Sequence, residues 1–126
     1  MSYNKLNDKL KEIKIENFIW FIYIGIIFLS WYSNALEKKY FMYNDLLSKE
    51  KYRKIMIFIF SILIIVYFYF LNDSYKSIKN LNQYDKKTKE LLTLSFIASL
   101  LIVVSGFIFL YIAIKDEDIN VELAFN

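Results

Sequence analysis

The chain has 126 residues and a net charge of +3; 57% of it is apolar and 20% aromatic, and it contains no Cys, His or Pro. Without cysteine and histidine, disulfides and the common thiol, zinc and haem chemistries are excluded. The length is that of one domain. A soluble fold of this size leaves about a third of its extended-chain surface in water, so so many apolar residues need charge interspersed among them.

The charges are not interspersed. They fall into four blocks, and the stretches 17–36, 55–72 and 91–114 contain no Asp, Glu, Lys or Arg. A hydrocarbon core about 30 Å thick needs roughly 20 apolar residues at 1.5 Å each, so every stretch is long enough to span it. A soluble amphipathic helix would bring charge back every three or four residues, and a membrane barrel would show alternation with turn signals. The expectation is an all-α integral membrane protein, a single membrane domain over 1–126, with three transmembrane helices and a short N-terminal interfacial helix.

In residues 1–16, Leu6, Leu10 and Ile13 stand at i, i+4 and i+7. Lys5, Lys9, Lys11 and Lys14 fall mostly on other faces. This predicts a helix lying at the headgroup level, with those four lysines contacting anionic lipid. The first span, 17–36, has Phe18 and Trp20 near one end and Trp31 and Tyr32 near the other, as belts at the water boundary do. A cleaved signal peptide ending near Ser33 and Ala35 fits poorly, because the apolar run is long and Asp8, Glu12 and Glu16 precede it.

The connection 37–54 alternates charge with Tyr40, Phe41, Tyr43, Leu46 and Leu47, which predicts helix returning along the interface. The second span, 55–72, exits through Tyr67, Phe68, Tyr69 and Phe70, and the connection 73–90 carries five lysines. The third span, 91–114, differs in texture. Ser95, Ser99 and Gly106 form a stripe of small residues, the kind of surface along which helix backbones approach closely in lipid. The tail 115–126 is acidic, with Asp116, Glu117, Asp118 and Glu122 spaced like no defined calcium loop, and is expected to be solvated.

Lys and Arg number nine on the side of the N-terminus and second connection and seven on the other. That small excess, with the acidic tail, favours an N-terminus inside. The heavy use of Asn, Lys, Ile, Tyr and Phe matches AT-rich coding and leads us to expect a bacterial cytoplasmic membrane.

Chemistry is sparse. No span holds the ionisable side chain that transporters and pumps place in the bilayer, and the sequence has no phosphate loop or nucleophile elbow. No cofactor and no metal are expected. A single arginine among lysines close to lipid argues for headgroups and against nucleic acid. Two functions are consistent with these residues. The first is a non-catalytic accessory subunit or regulator that acts by helix–helix interaction, with Ser95, Ser99 and Gly106 packing on a larger membrane protein or another copy in a homo-oligomer. The second is a holin-like, oligomeric, membrane-permeabilising protein, which small three-span chains with charged ends resemble, although such tails are typically basic.

Overall fold

The computed structural model describes residues 3–79, 82 and 84–123. Three long α-helices follow one another: α1, Tyr3–Tyr43; α2, Leu46–Lys79; and α3, Lys86–Lys115. With 41, 34 and 30 residues, they measure roughly 60, 50 and 45 Å, longer than the hydrocarbon core. All three are long and apolar enough to cross a membrane, and only 11%, 33% and 17% of their most apolar windows are buried within the chain. Open apolar surface on this scale is what helices suited to a membrane present.

One expectation is corrected here. Residues 3–16 are not a separate interfacial helix but the first turns of the 41-residue α1, which runs unbroken through the first span. To lie in the headgroup plane this segment would have to turn sharply near Asn17, and such kinks need a Pro, a Gly pair or a bulge. Neither Pro nor Gly occurs between residues 3 and 24.

The connection after α1 is also shorter than an interfacial return. Helix continues to Tyr43 and resumes at Leu46, so the reversal takes two residues. Asn44 adopts φ 52°, a left-handed conformation that Asn tolerates better than most side chains. Asp45 then caps α2: its carboxylate accepts from the Leu47 N–H at 3.2 Å and the Ser48 hydroxyl at 2.9 Å, and Lys39 lies 3.4 Å away. Asp85 caps α3 in the same way, accepting from the Thr88 N–H at 2.9 Å. These hydrogen bonds, from Ser48 and Thr88 first, hold both carboxyls below their ordinary value. The caps therefore contribute stability above the usual carboxylate range and lose it as pH falls through the lowered values.

α2 is the centre of the molecule. Met56, Ile59, Phe60 and Leu63 are fully or almost fully buried, and α1 and α3 each pack mainly on α2 and far less on each other. The buried face of α1 is Ile19, Ile26, Ser33 and Leu36. α2 and α3 are antiparallel and joined by aromatic pairs along their length: Phe60 stacks on Phe109 at 5.4 Å, Phe68 meets Phe107 edge-on at 5.8 Å, and Tyr75 lies 6.2 Å from Phe96. Each such pair adds about 0.5–1.5 kcal/mol beyond the area it buries.

The acidic tail is only partly solvated. Asp118 is exposed and 3.4 Å from Lys49, but Ile119 and Leu123 are buried in the same core cluster as Tyr52, Met56 and Ala113. Ile119 has φ 56°, a region β-branched residues avoid at a cost of about 1–3 kcal/mol. The Asp116 carboxylate offsets this by accepting from the Asn120 and Val121 N–H groups at 3.0 and 2.8 Å. Arg53 donates to the Ile114 carbonyl at 2.9 Å, placing a cation at the negative end of α3. Replacing Ile119 with Ala removes most of a buried side chain at a cost of about 2–5 kcal/mol, offset only in part because Ala bears the positive φ with less strain. Proteolytic cleavage within the tail is then expected to accelerate about ten- to a hundredfold; an unchanged cleavage rate would mean that Ile119 does not anchor it.

Candidate functional site

Because α1 and α3 flank α2 without closing on each other, a groove opens between them. Near the end of the bundle formed by the C-terminal part of α2 and the N-terminal part of α3, it encloses about 340 Å³, lined by Tyr23 from α1, Tyr67, Phe70, Asp73 and Ser74 from α2, and Ser95, Ser99 and Ile102 from α3. A second hollow of about 170 Å³ shares Tyr23 and Phe70 and adds Glu16, Ile19 and Trp20. Five hydroxyls therefore line the larger space, with carboxylates at Asp73 and, in the neighbouring hollow, Glu16.

The side chains reach this place for local reasons. Tyr67, Phe70 and Ser74 are three and four residues apart and so share one face of α2, as Ser95, Ser99 and Ile102 do on α3. The Ser99 hydroxyl donates to the Ser95 carbonyl at 2.9 Å, one turn back. It also lies 3.1 Å from the Ser74 hydroxyl. Since Ser99 has one proton and gives it to Ser95, Ser74 is the donor across the helices. Interhelical hydroxyl pairs of this kind are worth about 0.6–2 kcal/mol in lipid.

Two members of the expected small-residue stripe are thus engaged within the chain. Ser99 is bonded to α2. Gly106 is buried against it, and a methyl group added there would stand 3.1 Å from Ile64 Cγ1 and 3.3 Å from Tyr67 Cδ2. The third, Ser95, stays exposed at the lip of the groove.

Lys5, Lys9, Lys11 and Lys14 all lie on the exposed first turns of α1. At 100° per residue their directions differ widely, so they surround the helix and do not line one side of it. Lys9 is 3.7 Å from Glu12 in its own helix.

At the opposite end of the bundle Tyr52, 2% exposed, is enclosed by the tail. Burial first, and then the Glu37 carboxylate to which it hydrogen-bonds and the charges of Asp116 and Glu122, push its phenol well above the usual value. It stays a neutral donor at any physiological pH. Among the described residues, no three His, Cys, Asp or Glu side chains are grouped to hold a metal ion.

The fold is a three-helix chain whose helices are long and apolar enough to cross a membrane, with a polar-lined opening between the outer two. No family model, curated protein or solved structure matches the chain. Sequence reasoning missed Tyr23, Tyr67 and Asp73. The available signal was the turn spacing from Tyr67 to Phe70 and Ser74, which places aromatic and polar groups on one face of α2.

Proposed function

We propose that the protein is a non-catalytic accessory subunit or regulator that works by helix–helix contact in the bilayer, receiving a helix of a membrane partner in the groove between α1 and α3. The observation that carries this reading is the lining of that groove. Tyr23, Tyr67, Ser74, Ser95 and Ser99 gather hydroxyls beside a space of about 340 Å³, next to spans where lipid tails offer no hydrogen-bond partner. Ser74 and Ser99 already bond each other, so a partner helix with Ser, Thr, Asn or Gln on its face would meet chiefly Tyr23, Tyr67 and Ser95.

The test is a photo-crosslinking residue placed at Ser95, on the groove, or at Leu101, which is 61% exposed on α3 and absent from the groove lining. A discrete protein adduct is expected from position 95 and not from 101, and Tyr67→Phe combined with Ser99→Ala should reduce it several-fold. Equal labelling from both positions, or lipid adducts alone, would remove the support for a groove partner. Depolarisation of cells on expression would instead favour the membrane-permeabilising reading.

A further inference from the structure

The face of α1 turned away from α2 carries an apolar pattern whose first part, before the span, neither intrachain packing nor the hydrocarbon core requires. Tyr3, Leu6, Leu10, Ile13, Asn17 and Trp20 follow one another at spacings of 3, 4, 3, 4 and 3, and all are exposed. The alternation continues through Ile24 and Ile27 to Trp31, also exposed. At 100° per residue this seam is centred about 180° from the buried set Ile19, Ile26, Ser33 and Leu36. A 3–4 alternation over four heptads is the repeat of a left-handed coiled coil, with Leu10 and Asn17 at a and Leu6 and Ile13 at d.

The seam also crosses an environmental boundary. Within the first span lipid covers it, but Leu6, Leu10 and Ile13 lie in the charged segment that continues α1 beyond the span, and they are 49%, 55% and 42% exposed. We propose that this face binds the same face of a second copy of the chain, forming a parallel two-stranded coiled coil that begins outside the membrane and runs into it.

Three observations select a second copy as the occupant. Copies inserted with one topology are related by an axis along the membrane normal, which sets their α1 helices parallel and in register. In that register Asn17 meets its own counterpart, the arrangement by which a polar residue at a fixes a two-stranded pairing. The area also suffices. Tyr3, Trp20 and Trp31 are 81%, 63% and 73% exposed, and rings that bury about 150–250 Å² each when covered contribute on the order of 900 Å² over both copies. The Leu and Ile side chains of the seam bring the total into the range of roughly 1,200–2,000 Å² typical of stable interfaces.

The same register makes a prediction against itself. Lys9 falls at g and Lys14 at e, so Lys9 of one copy faces the partner copy's Lys14. The dimer is therefore weakened by like charge and tightened by salt or by Lys14→Glu. The surface is separate from the groove between α1 and α3, and the pairing stands whether or not that groove has a partner.

The natural absence of cysteine makes the experiment direct. Single cysteines are placed in turn from residue 4 to residue 16 of the full-length protein in membranes, and disulfide formation is driven by copper-phenanthroline. Crosslinked dimer is expected at positions 6, 10 and 13, with little at 8, 11 and 15. Lys14→Glu should raise crosslinking at position 10 about two- to tenfold at low salt, the effect of exchanging repulsion for attraction at two symmetric contacts. Leu10→Lys should lower crosslinking at position 13 at least tenfold at equal membrane abundance. Crosslinks without the 3–4 rhythm, crosslinks centred on another face, no crosslinks, or a loss of dimer in Lys14→Glu would each overturn the pairing.

Discussion

Leu101→Arg is expected to abolish stable insertion of α3. Leu101 is 61% exposed and lies close to the middle of the 91–114 apolar stretch, so an arginine there meets hydrocarbon and no protein group. Its cost on insertion scales is about 2.5–3.5 kcal/mol, equivalent to roughly a 60- to 400-fold shift away from the inserted state. The choice of position matters. Val103, two residues on, is 4% exposed, and an arginine there would damage packing as well as insertion. Membrane abundance after alkaline carbonate extraction is the measurement. Wild-type protein should stay in the membrane and be released by detergent, while the variant, still held by α1 and α2, should be lost to degradation and not to extraction. Equal abundance of the two would contradict a lipid-facing Leu101.

Gly106→Leu is expected to destabilise the monomer, with Gly25→Leu as its control. At Gly106 even a methyl group would stand 3.1 Å from Ile64 and 3.3 Å from Tyr67, whereas a Cβ at Gly25 meets nothing within 4 Å. Leu at 106 must push α3 away from α2 at the level of the Phe68–Phe107 pair, and overpacking of this kind costs about 1–3 kcal/mol. In a chain this long that corresponds to a melting point lower by on the order of 5–15 °C in detergent. Leu at 25 instead gains up to about 1 kcal/mol of helix propensity and should leave stability unchanged or higher. Should the two variants melt together, the close approach of α2 and α3 at Gly106 would be refuted.

The second prediction bears on the small-residue stripe. Sequence spacing identified Ser95, Ser99 and Gly106 as a surface where a helix approaches closely. The structure shows α2 of the same chain against Ser99 and Gly106. Close approach is a property of the residue type, but which helix does the approaching depends on how the connections fold back. With a two-residue reversal at Asn44 and Asp45, α1 and α2 are antiparallel neighbours by necessity. α3 then settles against α2, where Gly106 admits Ile64 and Tyr67, and it leaves the side facing α1 open.

What the sequence by itself determined is the material of the fold. Three uncharged runs between charged blocks give three helices long and apolar enough to cross a bilayer, because unpaired backbone groups are intolerable in hydrocarbon. The sharp reversal at Asn44 and Asp45 is not part of it: the alternating charge of 37–54 reads as helix returning along the interface, and only the structure shows Asn44 turning the chain and Asp45 capping α2. The tertiary structure alone decided the rest. α1 is one rod because nothing between residues 3 and 24 breaks it, and a local apolar pattern at Leu6, Leu10 and Ile13 cannot distinguish a helix lying on lipid from one projecting beyond it. The tail looked solvated because its charges dominate the composition, yet Ile119 and Leu123 found a buried surface at the end of the bundle that exists only once Tyr52, Met56 and Ala113 have been brought together. The groove has the same origin: Tyr23, Tyr67, Ser74 and Ser99 come from three distant segments, and only the packing of two helices on a third makes them neighbours.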